Sequence, residues 1–352
     1  MILLSLLALI LIIQASAPGP SVPPSPTGTS AEPSEVPTPT DAKERLELAE
    51  KVNGLAGLEV PWHLKASYQS FRPDGKPADT GTFEEWRVNA KQYRIALHSS
   101  SASADEYGTD NGIFRTGQTE LLRRPLSSIK ALVEKPASPI KDPEKTVLKN
   151  YERNFGSGKK PCTALLGSGP DHSPENAESY CFASTNAVLF YSSTPTKTAE
   201  TLFQQIAMAS GHYFARDIQV FIVGQPWLKL HVDTVEGIGP AGMDALKVPS
   251  DASPVPVRVG IPGEVVTGRL IKKAFPVYPA EAKLKGVQGR VVLDALIGTD
   301  GHLKDLQVLA GPTMLQQPAL DAVRQWVYTP YLLNGKPVEV ETEVNVLFSL
   351  GR

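Results

Sequence analysis

The C-terminal end of the chain carries its clearest two-residue period, VEVETEVNVLFSL at residues 338–350. The even positions are apolar apart from one threonine, and the odd positions include three glutamates, an asparagine and a serine. Such alternation predicts a long strand that turns one face towards a core. Glutamates at alternate positions usually form the wet face of a strand, so we expect Glu339, Glu341 and Glu343 to face solvent.

The residues before this strand complete a small α+β unit. Alternating apolar residues predict strands, apolar residues three and four apart predict a helix, and Asp-Gly or Asn-Gly pairs predict tight turns. We expect Trp326 to close the helix onto the sheet as a core residue. The predicted elements are a strand at 291–297, a turn at Asp300-Gly301, a strand at 303–309, a helix at 317–327 and a turn at Asn334-Gly335.

This series of motifs resembles the C-terminal domain of the TonB family. The resemblance implies a domain over residues 265–352, built as a small three-stranded antiparallel sheet packed on helices. Where the family prototype has a glutamine-rich stretch, this chain has the residues Ala274-Phe275-Pro276-Val277. The matching motifs are Tyr278-Pro279 before a short helix at 281–284, Gly286 to Gly289, Asp300-Gly301, the helix end at 322–330 and the strand at 344–348.

The resemblance also implies a function and a site. Such a domain would bind an extended peptide of an outer-membrane transporter, and could couple energy to uptake across the outer membrane. We expect the peptide to add to the uncharged half of the terminal strand, whose other edge would lack a partner strand. The residues expected to bind it are Val344, Asn345, Val346, Leu347, Phe348, Ser349, Phe275, Pro276 and Tyr278.

The N-terminus predicts export. Residues 2–13 form an apolar run of twelve residues, which is short for a membrane span of about 17–25 residues, and Ala15-Ser16-Ala17 suits a signal peptidase. We therefore expect a signal peptide at 1–17, with an uncleaved inner-membrane anchor as the alternative. Residues 18–40 contain eight prolines and predict an extended linker.

The middle of the chain predicts a second domain over residues 41–246. Asp41 can cap a helix, and several strand-like runs separated by Gly and Pro turns follow it, with a short helix expected at 147–151. This order predicts α+β with a curved antiparallel sheet, and its pattern resembles the lipoprotein-carrier (LolA-like) superfamily. Residues 247–264 predict a proline-rich linker, although alternating Val257, Val259 and Ile261 could add an edge strand.

The chain has two cysteines, Cys162 and Cys181. Two cysteines in an exported protein most often pair, so we expect a disulfide. A redox thiol pair is the competing interpretation, but it usually needs the closer spacing Cys-x-x-Cys.

Composition and motifs favour binding over catalysis. The net charge of -2 gives no basic field for nucleic acid. The six histidines show no His-x-x-x-His pair, and no Gly-x-Ser-x-Gly elbow occurs. We therefore expect a protein that is not an enzyme and that holds no cofactor or metal.

Two functions remain in competition. The leading one is a periplasmic or cell-envelope protein whose terminal domain binds a transporter peptide, together with inner-membrane motor proteins if the N-terminus stays uncleaved. The alternative is a periplasmic carrier of a lipid or an acylated protein that uses the terminal domain for docking. A homodimer would arise if a second copy covered the edge of the terminal strand.

Overall fold

The computed structural model describes residues 39–118, 123–137, 146–156, 158–166, 174, 177–183, 187–261 and 263–350. The predicted signal peptide at 1–17 lies outside the described residues, as does the linker at 18–40 except for its last two residues. Residues 39–350 fall within one compact unit.

A large antiparallel sheet occupies the middle of the chain. Turns of short polar and glycine-rich sequence join most neighbouring strands, so the chain runs back and forth and local pairing dominates. Along the sheet the strand order is β13-β5-β4-β3-β2-β1-β12-β11-β10-β9-β8-β7-β6. The thirteen described strands are β1 (Trp62–Phe71), β2 (Pro77–Arg87), β3 (Tyr93–Ser99), β4 (Ser103–Thr109), β5 (Gly112–Gly117), β6 (Val147–Asn154), β7 (Lys159–Leu166), β8 (Glu178–Phe182), β9 (Leu189–Ser193), β10 (Ala199–Ala209), β11 (His212–Ile222), β12 (Gln225–Gly237) and β13 (Ser253–Pro254).

Two helices cover one face of this sheet. Helix α1 (Ala42–Val52) begins where Asp41 accepts hydrogen bonds from the backbone N–H groups of Lys43 and Glu44, as predicted. Helix α2 (Arg123–Glu134) and α1 bury their apolar residues in one core with the inward side chains of the strands. A third helix, α3 (Pro240–Asp244), follows β12.

Buried charges fix α2 to the sheet. The carboxylate of Glu106 on β4 accepts hydrogen bonds from Arg115 at 2.6 and 2.8 Å, from the Tyr93 hydroxyl at 2.8 Å and from Lys130 of α2 at 3.3 Å. Burial alone would raise the pKa of Glu106, but Lys130 and Arg115 hold it below its usual value. Glu134 at the end of α2 pairs with Arg87 of β2.

The C-terminal module forms a second sheet of mixed direction. Its order is β14-β20-β16-β17, and β19 pairs with the start of β20 through the predicted turn at Asn334 and Gly335. The two strands β15 and β18 pair with each other. The elements are β14 (Arg258–Gly260), α4 (Gly263–Thr267), β15 (Leu270–Lys272), α5 (Ala280–Leu284), β16 (Gly289–Ile297), β17 (Leu303–Ala310), α6 (Thr313–Val323), β18 (Val327–Tyr328), β19 (Tyr331–Leu333) and β20 (Lys336–Phe348).

Both faces of β16 are buried. Val291, Leu293 and the other odd positions pack in a core with α6 and Trp326. On the opposite face Val292 belongs to the apolar cluster of the large sheet, and the Arg290 guanidinium donates to Thr198 at 3.0 Å. The small sheet therefore lies between its own helix and the large sheet.

The structure corrects three predictions. Residues 147–151 are part of strand β6 and not of a helix, because the segment pairs along its whole length with β7. The helix predicted at 317–327 is α6 at Thr313–Val323, and Val327 begins a strand instead. The three expected strands β17, β16 and β20 are neighbours, but β14 and β19 extend their sheet beyond three strands.

The segment predicted as a linker joins the two sheets. Within residues 247–264, β13 pairs with β5 of the large sheet and β14 pairs with β20 of the small one. The alternation at Val257, Val259 and Ile261 thus does add an edge strand, and this strand runs parallel to β20.

The predicted disulfide is present between Cys162 of β7 and Cys181 of β8, with an S–S distance of 2.03 Å. The two residues are directly opposite each other in the strand register and both are fully buried. They pack with Tyr191 in a small cluster of their own.

Reduction of this bond should destabilise the large sheet. The bond closes a loop with a sequence separation of 19 residues, so the chain-entropy account gives a loss of about 3 kcal/mol in the free energy of unfolding. Urea unfolding with and without reductant measures it, and the Cys162→Ser/Cys181→Ser variant should match the reduced parent. Alkylation of both sulfurs in denatured, unreduced protein would contradict the bond.

Candidate functional site

The outer edge of β20 is covered over its first half. Val257 accepts a hydrogen bond from the Glu339 N–H at 3.1 Å, and the Ile261 N–H donates to the Glu341 carbonyl at 3.0 Å. Strand β14 therefore occupies this edge up to Glu341. Helix α4 follows at once, and a Cβ added at Gly263 would lie 2.1 Å from the Glu343 carbonyl oxygen. Only glycine lets α4 approach the edge this closely.

A buried carboxylate holds β14 in this place. Glu339 is 1% exposed, which corrects the prediction that it faces solvent. Its two oxygens accept hydrogen bonds from the Arg258 Nε of β14 and the Lys304 Nζ of β17, each at 2.6 Å. Glu339 lies on the face of β20 opposite its apolar residues, and it is buried there because β14 and β17 each place a cation beside its carboxylate. Burial alone would raise the pKa of Glu339, but these hydrogen bonds hold it below the usual value of 4.5.

Along the second half of β20, residues 344–348, the outer edge has no described partner strand. Its pairing with β16 runs without a register shift from Val340 to Phe348. Because Glu339 and Glu341 bond towards β14, the alternation of a regular strand turns the N–H and C=O groups of Asn345 and Leu347 to that same side. No described strand pairs with residues 344–348 on this side. The edge therefore offers a row of backbone donors and acceptors about 16 Å long.

The predicted binding residues of β20 divide between its two faces. Val344, Val346 and Phe348 are buried in the core of the module. Asn345 is exposed, and the Leu347 side chain is 69% exposed. Ser349 lies beyond the end of the strand and is also exposed. The buried valines hold the strand in position, and only Asn345, Leu347 and Ser349 can present side chains to a ligand.

The other predicted binding residues lie on the extended segment 273–279. Tyr278 turns inwards, where its ring meets Phe348 edge-on at 5.4 Å and its hydroxyl donates to the Val287 carbonyl at 2.6 Å. Phe275 turns outwards and is 78% exposed, whereas Pro276 is half-buried. The structure thus brings Tyr278 to the far end of β20 and leaves Phe275, three residues earlier in the chain, on the surface.

A second candidate site is the apolar space between the helices and the large sheet. It is lined by Leu55, Leu64, Val133, Phe203 and Ile218 among others, and its volume is about 10 Å³. Such a space holds about one water molecule, whereas sites for drug-sized ligands measure roughly 300–1,000 Å³. A lipid chain could enter only if α2 moved away from the sheet.

Two further findings concern the described part of the chain. It contains no helix that is long and apolar enough to cross a membrane. It also contains no group of three or more His, Cys, Asp or Glu residues placed to hold a metal ion.

Sequence reasoning missed the residues that delimit the edge. Arg258 and Lys304 gave no signal because their partner, Glu339, lies 81 and 35 residues away in the chain. The role of Gly263 could have been suspected, because Pro-Gly after an alternating run marks the end of a strand.

The fold defines an α+β protein in which a small mixed sheet with a partly open edge is joined to a large antiparallel sheet. Residues 274–350 match the family described as "Gram-negative bacterial TonB protein C-terminal". Protein TonB of Vibrio cholerae is 32% identical over 77 residues, which are 21% of this chain and 32% of that protein. The chain therefore spans about a third of the length of that relative.

Solved structures resemble each module separately. The C-terminal domain of TonB from Pseudomonas aeruginosa is 28% identical, with a TM-score of 0.22, and the match covers 24% of this chain and 87% of that one. A LolA superfamily protein from Nitrosomonas europaea is 8% identical, with a TM-score of 0.36, and the match covers 56% of this chain and 94% of that one.

Replacing Glu339 by glutamine tests the buried ion pair. At neutral pH the Glu339→Gln variant removes the carboxylate that lies 2.6 Å from both Arg258 and Lys304 and leaves Arg258 with the more distant carboxylate of Glu341, at 3.9 Å, so the free energy of unfolding should fall by about 3 kcal/mol. Because the pKa of Glu339 is lowered in the folded protein, its ionised carboxylate stabilises the parent fully above pH 4.5. This stabilisation is lost as the pH falls below that value and the carboxylate becomes protonated. Urea unfolding of both proteins at a series of pH values measures the difference.

The exposed carboxylate of Glu281, which pairs with Lys285 at 2.7 Å, supplies the matched control. Glu281→Gln should change stability little at any pH. A Glu339→Gln variant as stable as the parent at neutral pH would contradict the account.

Proposed function

We propose that the C-terminal module binds an extended peptide, which adds as a strand to the outer edge of β20 at residues 344–349. Main-chain hydrogen bonds to Asn345 and Leu347 would supply affinity, and the exposed side chains of these residues would supply part of the specificity. Phe275, Pro276 and Tyr278 would meet the part of the peptide that runs past Phe348.

The half-open edge of β20 is the observation that carries this proposal. Proteins usually cover or charge an exposed edge, because it can pair with other chains. Here β14 covers the half that contains the glutamates, and the uncharged half beyond Glu343 has no described partner strand. The strand is also held firmly from its other side by β16, so little conformational entropy would be lost when a peptide binds.

The partner follows from the likeness of residues 274–350 to TonB C-terminal domains. We propose that the peptide belongs to an outer-membrane transporter and that the protein works in the cell envelope, as a binding protein and not as an enzyme. Coupling to inner-membrane motor proteins would further require residues 2–13 to remain in the inner membrane, so we propose binding as the function and coupling as its extension.

The carrier function is the weaker proposal. The apolar space under α2 has a volume of only about 10 Å³, and Lys130 and Glu134 fix α2 through buried ion pairs. Extraction of the purified protein with organic solvent tests this alternative, and stoichiometric co-purified lipid would favour it over peptide binding.

A proline at the edge tests strand addition. Asn345→Pro removes one outward N–H and leaves the inward groups that bond to β16 in place, so it should weaken binding of transporter-derived extended peptides at least tenfold. Asn345→Ala keeps the N–H and is the matched control, with binding close to that of the parent. Titration by fluorescence anisotropy measures all three proteins after circular dichroism has shown that they are folded.

Equal peptide binding by the folded proline variant and the parent would refute strand addition at this edge. The molar mass in solution must be measured alongside, because a dimer that dissociates in the Asn345→Pro variant would show that a second copy of the chain occupies the edge instead.

A further inference from the structure

The most exposed apolar side chains of the described residues lie close together in the sequence. Leu284 is 88% exposed, Val277 81% and Phe275 78%, and these are the three highest values among the large apolar residues. Single exposed apolar residues are common and need no explanation. Three such residues within ten positions of the chain do need one, because each exposes apolar surface to water at a cost.

The backbone around them is anchored to the core. Along 273–278 the even positions turn inwards and the odd positions turn outwards. The Trp326 indole N–H donates to the Ala274 carbonyl at 2.7 Å, and the Tyr278 hydroxyl donates to the Val287 carbonyl at 2.6 Å. In α5 the buried Ala282 fixes one face, and Leu284 lies on the other. These contacts with the core therefore hold the backbone of the three exposed apolar residues, Phe275, Val277 and Leu284, in place; their side chains are called the apolar tips below.

Four lysines accompany the three exposed apolar residues in this segment. Lys272, Lys273, Lys283 and Lys285 lie within residues 272–285, and Glu281 is the one carboxylate of this segment. Glu281 pairs with Lys285, and the described salt bridges include none for the other three lysines. The Lys273 ammonium lies 5.4 Å from the centre of the Phe275 ring, and that of Lys283 lies 5.5 Å from the Tyr278 ring. Positive charge and exposed apolar side chains thus occur together along this one segment, while the whole chain carries a net charge of -2.

We propose that this surface, residues 272–285, docks the C-terminal module onto an anionic phospholipid bilayer. The apolar tips would enter the boundary between headgroups and acyl chains, and the lysines would lie at the level of the lipid phosphates. A bilayer accepts separate protruding tips, because it needs no matching groove. The segment is a poor template for a peptide strand, since Pro276 and Pro279 remove two of its backbone donors.

This surface is distinct from the edge of β20. Val277 and Leu284 are not among the residues proposed for peptide binding, whereas Phe275, Pro276 and Tyr278 belong to both proposed sites. Docking at a bilayer would hold the module close to the membrane while the edge of β20 remained available. The two proposals can therefore fail independently.

Vesicle flotation tests the docking. The chain is used from Val36 onwards, because the apolar run at 2–13 would itself enter membranes and residues 39–350 lie within one compact unit. Vesicles of phosphatidylglycerol and phosphatidylcholine should bind the protein, vesicles of phosphatidylcholine alone should bind it much more weakly, and added salt should release it.

Val277→Ser/Leu284→Ser should weaken binding about tenfold or more. Lys272→Gln/Lys273→Gln should weaken it about fivefold per charge.

Val60→Ser/Val147→Ser is the matched control, because these two valines are 53% and 63% exposed in the large-sheet module. It should bind vesicles as the parent does, and both serine variants should bind extended peptides as the parent does. Absence of vesicle binding by the parent, or equal binding by the Val277→Ser/Leu284→Ser variant, would overturn the proposal. Loss of peptide binding in that variant without any vesicle binding would assign the surface to the peptide site instead.

Discussion

A buried carboxylate decides which part of the terminal strand is open. Glu339 cannot lie in the interior without cationic partners, since an unpaired buried charge costs far more than a pair contributes. Arg258 and Lys304 reach it only because β14 and β17 bring them there. The same contact that neutralises Glu339 therefore fixes β14 along the first half of β20. After β14 the chain continues as α4, which lies against β20 at Glu343, and no described strand pairs with the outer edge beyond that residue.

The surrounding structure makes this edge rigid. Strand β16 pairs with β20 along its whole second half, while its own two faces are buried against α6 and the large sheet. The exposed edge of β20 suits strand addition because pairing with β16 already holds this strand in the conformation that binds a peptide. The extended segment with Phe275 and Val277 is held in the same way by Trp326 and Tyr278, so both proposed surfaces are presented by an ordered frame.

Local patterns in the sequence predicted much of this fold. The alternation of residues 338–350 predicted β20 and its core face, Asn334 and Gly335 predicted the turn before it, and Asp41 predicted the start of α1. The burial of Glu339 could not be predicted, because it depends on strands that are distant in the chain. The same reason applies to β6, where a short polar segment becomes a strand only by pairing with β7. The proposed binding residues could be named from the resemblance alone, but which half of the edge lacks a partner strand depends on the tertiary contacts of Arg258 and Gly263.

Amide hydrogen exchange, measured residue by residue by NMR, tests the open edge most directly. In the free protein the N–H groups of Val344 and Val346, which bond to β16, should exchange slowly, whereas those of Asn345 and Leu347 should exchange fast. A bound extended peptide should slow exchange at Asn345 and Leu347 and leave the valines unchanged. Slow exchange at all four positions in the free monomer would show that the edge is already covered, and would contradict the account.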